Sequence, residues 1–142
     1  MLSASYIGAF KWQGGVCAAM GAPFSGQILQ EIASSRAVGE ALGPHLAASA
    51  DLSVRQLIFG AFPVRVLAGL HYLVIKQAAP DLARKYTTQD GSRLDETLAA
   101  AIGEHGVVLA RYLLSPRKPT RCAGPTAWWA ASWWWPTERP CR

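Results

Sequence analysis

The sequence predicts an all-α fold, a small bundle of about five or six helices, and three observations predict it. Apolar residues recur at helical spacing through most of residues 5–114. Ser53-Val54-Arg55-Gln56 and Ser92-Arg93-Leu94-Asp95 both fit a helix-opening capping box, in which a serine oxygen accepts from the backbone three residues on. Glycine and proline fall between the periodic stretches, where a helix is expected to stop.

Taken in order, Tyr6, Phe10, Cys17 and Met20 mark a first helix over 5–20, with Gly14-Gly15 weakening its middle. Gly21-Ala22-Pro23 ends it, and Phe24, Ile28, Leu29 and Ile32 give one face of a second. A short helical piece follows near 39–49, interrupted by Gly43-Pro44. Leu57 to Ile75 is the most apolar segment, and Pro63, lacking an N–H, should kink it or split it in two. Leu67, Leu70, Leu73 and Val74 form the core stripe of its second part. Pro80 suits the first turn of a short helix through Tyr86. Thr87 to Gly91 reads as a loop, and Leu98, Ile102, Leu109, Leu113 and Leu114 mark a final helix.

Composition narrows the class. Of 142 residues, 51% are apolar and 16% charged, against roughly a quarter charged in an ordinary soluble domain. So apolar a chain is not disordered throughout. The N-terminus lacks the pattern of a signal peptide, and Cys17, Cys122 and Cys141 form no disulfide framework, so a cytoplasmic protein is expected. The net charge of +5 hints at nucleic acid, but residues 1–116 carry nine Lys/Arg and eight Asp/Glu, whereas 117–142 carry five and one. The basicity belongs to the tail, and no nucleic-acid partner is expected. Leu57 to Ile75 is close to the ~20 residues of a membrane span, but Arg65 near its centre costs about 2.5–3.5 kcal/mol on insertion. No transmembrane span is expected.

The character changes after Pro116. Residues 117–142 hold five of the six tryptophans, four of the nine prolines and two of the three cysteines, with no helical or strand period. One reading makes Trp128-Trp129 and Trp133-Trp134-Trp135 an interfacial membrane or partner anchor. The other is a slip of reading frame. Tryptophan has a single codon, TGG, so its surroundings can be re-read with little freedom. Shifting the frame from Ala127 to Pro136, with a TCN codon at Ser132, permits Leu/Met/Val, Val, Gly, a small or polar residue, an apolar residue, Leu/Met/Val, Val, Val, Ala. That is a buried apolar segment with glycine, as a globular core uses. The preferred division is therefore a helical N-terminal part, 1–116, and an irregular frameshifted tail, 117–142.

Phe10-Lys11-Trp12-Gln13 with Cys17, then Gly21-Ala22-Pro23-Phe24, then Arg65 to Val74 and the Tyr86 to Gly91 loop resemble the bacterial family termed domain of unknown function 2332. The resemblance covers nearly all of residues 6–116. It implies a continuation after Ser115-Pro116 into Gln-Thr-Asn-Glu-Val and an apolar Gly-rich segment, and the shifted frame permits both. It also implies a parent more than twice as long, whose later half carries a methyltransferase-like nucleotide-binding turn that this chain stops short of. The parent's own C-terminal domain is then the natural partner of residues 1–116. Its absence should leave apolar faces exposed and favour self-association.

Candidate site residues are few. Arg65 and His71 are the polar residues inside the most apolar segment, and Trp12 and Gln13 are a second possible ligand contact. Each also has a structural reading: His71 hydrogen-bonded in the core, Arg65 at a helix surface or paired with a carboxylate, Trp12 in the core. Cys17 lacks a nearby histidine and reads as a buried thiol. His45, His71 and His105 lack metal-ligand spacing, and no P-loop or GxGxxG occurs. No catalytic, cofactor-binding or metal residue is expected. The favoured reading is a truncated helical fragment without activity of its own. Its alternatives are a standalone protein with a binding tail and a helical cover of a methyltransferase-like enzyme.

Overall fold

The structure is a computed structural model that describes residues 2–49 and 51–114; the tail at 117–142 lies outside the described residues. It is all helical: α1 (Ala4–Ala19), α2 (Pro23–Ser34), α3 (Arg36–Leu46) with a 3-10 turn at Ala47–Ser49, α4 (Val54–Phe59), α5 (Phe62–Ile75), α6 (Pro80–Thr88) and α7 (Leu94–Leu114). Helix α1 packs along α2, α3 along α7, and α5 packs against both α7 and α6.

The proline and serine signals act where the sequence placed them. Ser53 accepts from the Gln56 amide while the Gln56 side chain accepts from the Ser53 amide, so the capping box opens α4. Pro63 falls in the first turn of α5, where its missing N–H costs nothing, and the apolar stretch divides there into α4 and α5. The division passes through Ala61, held at φ 54° in the left-handed region that a side chain disfavours. This split brings the bundle to seven α-helices among the described residues.

The second capping box does not form. Ser92 instead bonds Asp90 through both its amide and its hydroxyl, and the Lys85 ammonium donates to the Ser92 hydroxyl and carbonyl. Helix α6 also runs two residues past Tyr86, because Thr87 and Thr88 bond back to the carbonyls of Ala83 and Arg84. Pro44 sits inside α3, which begins at Arg36 and runs on to Leu46, so the interruption expected at Gly43-Pro44 does not occur.

The core follows the predicted stripes. Phe24, Ile28, Leu29 and Ile32 of α2 are buried, as are Leu67, Leu70 and Leu73 of α5 and Leu98, Ile102, Leu109 and Leu113 of α7. Tyr6 is buried too, its hydroxyl within hydrogen-bond distance of the Leu46 and Ser49 carbonyls, which ties α1 to the end of α3.

Two close approaches depend on glycine. Gly14, which weakens α1 locally, lets α2 come near: a Cβ on Gly26 would stand 2.7 Å from the Gly14 carbonyl oxygen. Gln30 of α2 reinforces the crossing by donating to the Lys11 carbonyl at 3.1 Å. On α7 the His45 ring of α3 occupies the place a Cβ on Gly106 would take. One residue earlier, His105 departs from helical geometry (φ −112°, ψ 17°) and its Nε2 lies 3.0 Å from the Ala78 carbonyl.

Candidate functional site

The four sequence candidates separate into different parts of the bundle. Trp12 is 51% exposed on α1, so it is not the core aromatic its spacing suggested. Gln13 faces inward instead, 9% exposed, and its amide donates to the Cys17 sulfur at 3.7 Å. Cys17 is half-buried rather than sealed. Arg65 sits at the edge of α5, where Nη1 donates to the Leu113 carbonyl at 3.2 Å and the guanidinium lies over the Phe62 ring at 5.9 Å. These contacts tie the start of α5 to the last turn of α7.

His71 is half-buried on α5, turned about 100° around the helix from Tyr72, whose ring meets Tyr112 of α7. Its ring meets Tyr86 edge-on, centroids 5.0 Å apart, and Tyr86 meets Phe24 in the same way at 5.3 Å. Such T-shaped pairs add about 0.5–1.5 kcal/mol each beyond area burial. His71 makes no hydrogen bond among the described residues, so it is held by ring packing, not by the polar partner the sequence suggested. The Tyr86 hydroxyl is buried, also without a protein partner among them. Burial pushes the Tyr86 phenol well up and the His71 imidazolium down.

The sign of the His71 effect is testable. Below its ordinary value of 6.5 the unfolded chain binds the proton that the folded chain resists, so folding stability is lost as pH falls through that window. His71→Phe keeps an aromatic ring against Tyr86 and removes the proton. The melting temperature of the variant should therefore drop less than that of the parent between about pH 7.5 and about pH 5. Stopping at that pH leaves Asp90, Glu40 and Glu96 ionised, because hydrogen bonds from Lys85, Arg36 and Arg93 hold their carboxyls below the usual range. Equal drops in both proteins would show that His71 is not the group responsible.

An open groove of about 400 Å³ runs between α6 and α7. Its charged lining is balanced, with Arg84, Lys85 and Arg93 against Asp81, Glu96 and Glu104. Each cation already has a carboxylate: Arg84 with Asp81, Lys85 with Asp90 and Arg93 with Glu96. The exposed Arg84–Asp81 and Arg93–Glu96 pairs are worth ~0–1 kcal/mol each, so an anion could displace them, but nothing in the groove selects one. The sequence reading missed this groove, and its only signal was the i,i+3 charge pairing at Asp81/Arg84 and Arg93/Glu96, which is ordinary for an exposed helix. Among the described residues no group of three or more His, Cys, Asp or Glu is placed to hold a metal ion.

Fold and groove together define a helical bundle in which the cations lining the α6–α7 groove are paired with carboxylates. The chain matches the family model described as an uncharacterised protein conserved in bacteria, domain of unknown function 2332, over residues 8–123, and it belongs to that family. No curated protein and no solved structure matches it. Among the described residues no helix is long and apolar enough to cross a membrane.

Proposed function

We propose that residues 1–116 are the N-terminal helical part of a longer bacterial protein, without a reaction of their own, and that 117–142 are translated out of frame. In the parent these helices cover a catalytic or ligand-binding domain of methyltransferase-like type, in the cytoplasm. The observation that carries this reading is the break in composition at Pro116, together with the apolar Gly-containing segment that the shifted frame permits.

Sequencing the encoding DNA beyond the present stop tests the proposal directly. The shifted frame should run on as an apolar, Gly-containing continuation. If it closes within a few codons, the fragment reading is lost.

The tail also favours a second reading, because five tryptophans and five Lys/Arg fall within 117–142. Under it the chain stands alone and the tail binds an interface. That reading requires co-sedimentation of the whole chain with anionic vesicles, lost on removal of 117–142.

A further inference from the structure

Helix α5 holds Arg65 as its single Lys, Arg, Asp or Glu between Phe62 and Ile75. A helix so apolar on every side belongs inside a protein, yet one side of α5 is open. Val64, Ala68, Tyr72 and Ile75 are all exposed, and their spacing of four, four and three residues places them on that one side. Helix α7 has an open side of its own. Glu104, Val107 and Arg111 are exposed and Val108 is half-buried, again at helical spacing. The two sides meet where the Tyr72 and Tyr112 rings lie 5.5 Å apart, Tyr112 being one turn beyond Val108. They make one face, two helices wide.

That face has an apolar middle and, along α7, ends of opposite charge. Glu104, which also borders the α6–α7 groove, closes one end of the α7 strip and Arg111 closes the other. They stand about 10 Å apart at the helical rise, too far to pair with each other. Leu109 closes on Gly69, and His105 lies 3.0 Å from the Ala78 carbonyl. The midpoint of the strip, between Val107 and Val108, is therefore level with the end of α5 near Ile75. Ile75 and Val107, 57% and 73% exposed, share the centre of the face, and the charges lie at its rim. An apolar centre inside a polar rim is the anatomy of a protein–protein interface.

We propose that this α5–α7 face pairs with the same face of a second copy of the chain, about a two-fold axis that passes between Val107 and Val108. An axis lying in the face and crossing the helices at right angles sets each helix antiparallel to its own copy. Glu104 and Arg111 are equally distant from that axis, so Glu104 of one copy falls opposite Arg111 of the other, and the pairing is made twice. A strip charged oppositely at its two ends is its own complement when reversed, and this selects a second copy as the occupant. An anionic lipid surface would call for cations at both ends, and Glu104 opposes it. At about 16 Å by about 20 Å, from the helical rise and two helix diameters, the face falls short of the ~800 Å² per partner of a standard interface. The pair is therefore weak and reversible, micromolar or weaker. It stands on the described helices alone, so it goes beyond the proposed function and does not rest on it.

Sedimentation velocity of the whole chain in low-salt buffer, from about 10 to about 500 μM, should show a reversible monomer–dimer shift. Glu104→Arg and Arg111→Glu each turn two attractive pairs into two repulsive ones, so each should weaken the dimer at least about tenfold. The double variant rebuilds both pairs with the signs exchanged and should return to within about threefold of the parent midpoint. Val107→Glu, beside the axis, should abolish the dimer with helical circular dichroism retained. Met20→Glu, at an exposed site at the end of α1, should leave it unchanged. A monomer across the whole range overturns the proposal, and that measurement needs no variant to fold. An open series of larger species overturns it too, because a two-fold pairing closes at two. So does a dimer that the single reversals leave unmoved or that the double variant fails to restore, since association then runs through another surface. A monomer that co-sediments with anionic vesicles would assign the face to a membrane and equally overturn it. An early stop in the shifted frame would sink the proposed function and leave these readouts untouched.

Discussion

Phe10→Ala should destabilise the bundle by about 3–5 kcal/mol, whereas Trp12→Ala, two residues away, should cost within ~0.5 kcal/mol of nothing. Phe10 is fully buried at the centre of the core cluster, while half of the Trp12 surface meets solvent. Truncating Phe10 removes its transfer free energy and leaves a cavity that α1 cannot fill, since its crossing with α2 is fixed by the Gly14–Gly26 contact. Against a total stability of about 5–15 kcal/mol, the loss takes a large share. The melting temperature should fall on the order of 10–20 °C. Thermal unfolding followed by circular dichroism separates the two variants. Comparable losses for both would mean that Trp12 carries packing the structure does not give it.

That pair of residues also shows where the sequence was legible. The stripes Phe24-Ile28-Leu29-Ile32 and Leu67-Leu70-Leu73 have a strict helical period, and they are buried as the period requires. Ser53 capped α4 because its partner three residues on, Gln56, closes the box from its own side chain onto the Ser53 amide. Ser92 failed as a cap for a tertiary reason: Asp90 and Lys85 reach it first, and Lys85 comes from the preceding helix. Trp12 was misplaced because adjacent helical positions differ by about 100° in direction, and size alone favoured the indole over Gln13 for the inward side. The inward-facing Gln13 is satisfied by Cys17 one turn on, a local partner that residue type does not announce.

The candidate site was less legible than the fold. His71 was singled out as polar within an apolar run, but the ring that meets it, Tyr86, comes from α6, and Phe24, which packs on Tyr86, comes from α2. The open side of α5 was invisible for a related reason. Every side of that helix is apolar, so period cannot say which side α7 covers and which it leaves bare.

Two glycines should respond in opposite directions. Gly26→Val should destabilise by about 3 kcal/mol, at the upper end of what overpacking costs. Its Cβ would fall 2.7 Å from the Gly14 carbonyl and 3.2 Å from both the amide nitrogen and the Cβ of Ala18. Backbone atoms cannot rotate away, so α1 and α2 must part along a crossing that also carries the Gln30 bond to Lys11. Gly15→Ala should instead stabilise by about 0.5–1 kcal/mol. A Cβ at Gly15 meets nothing within 4 Å, the residue lies inside α1, and alanine restricts the unfolded chain more than glycine does. Chemical denaturation of the two variants beside the parent gives the midpoint shifts directly. A stabilised Gly26→Val would show that the close crossing of α1 and α2 is absent in solution, and the tight helix pair at the base of the bundle would have to be redrawn.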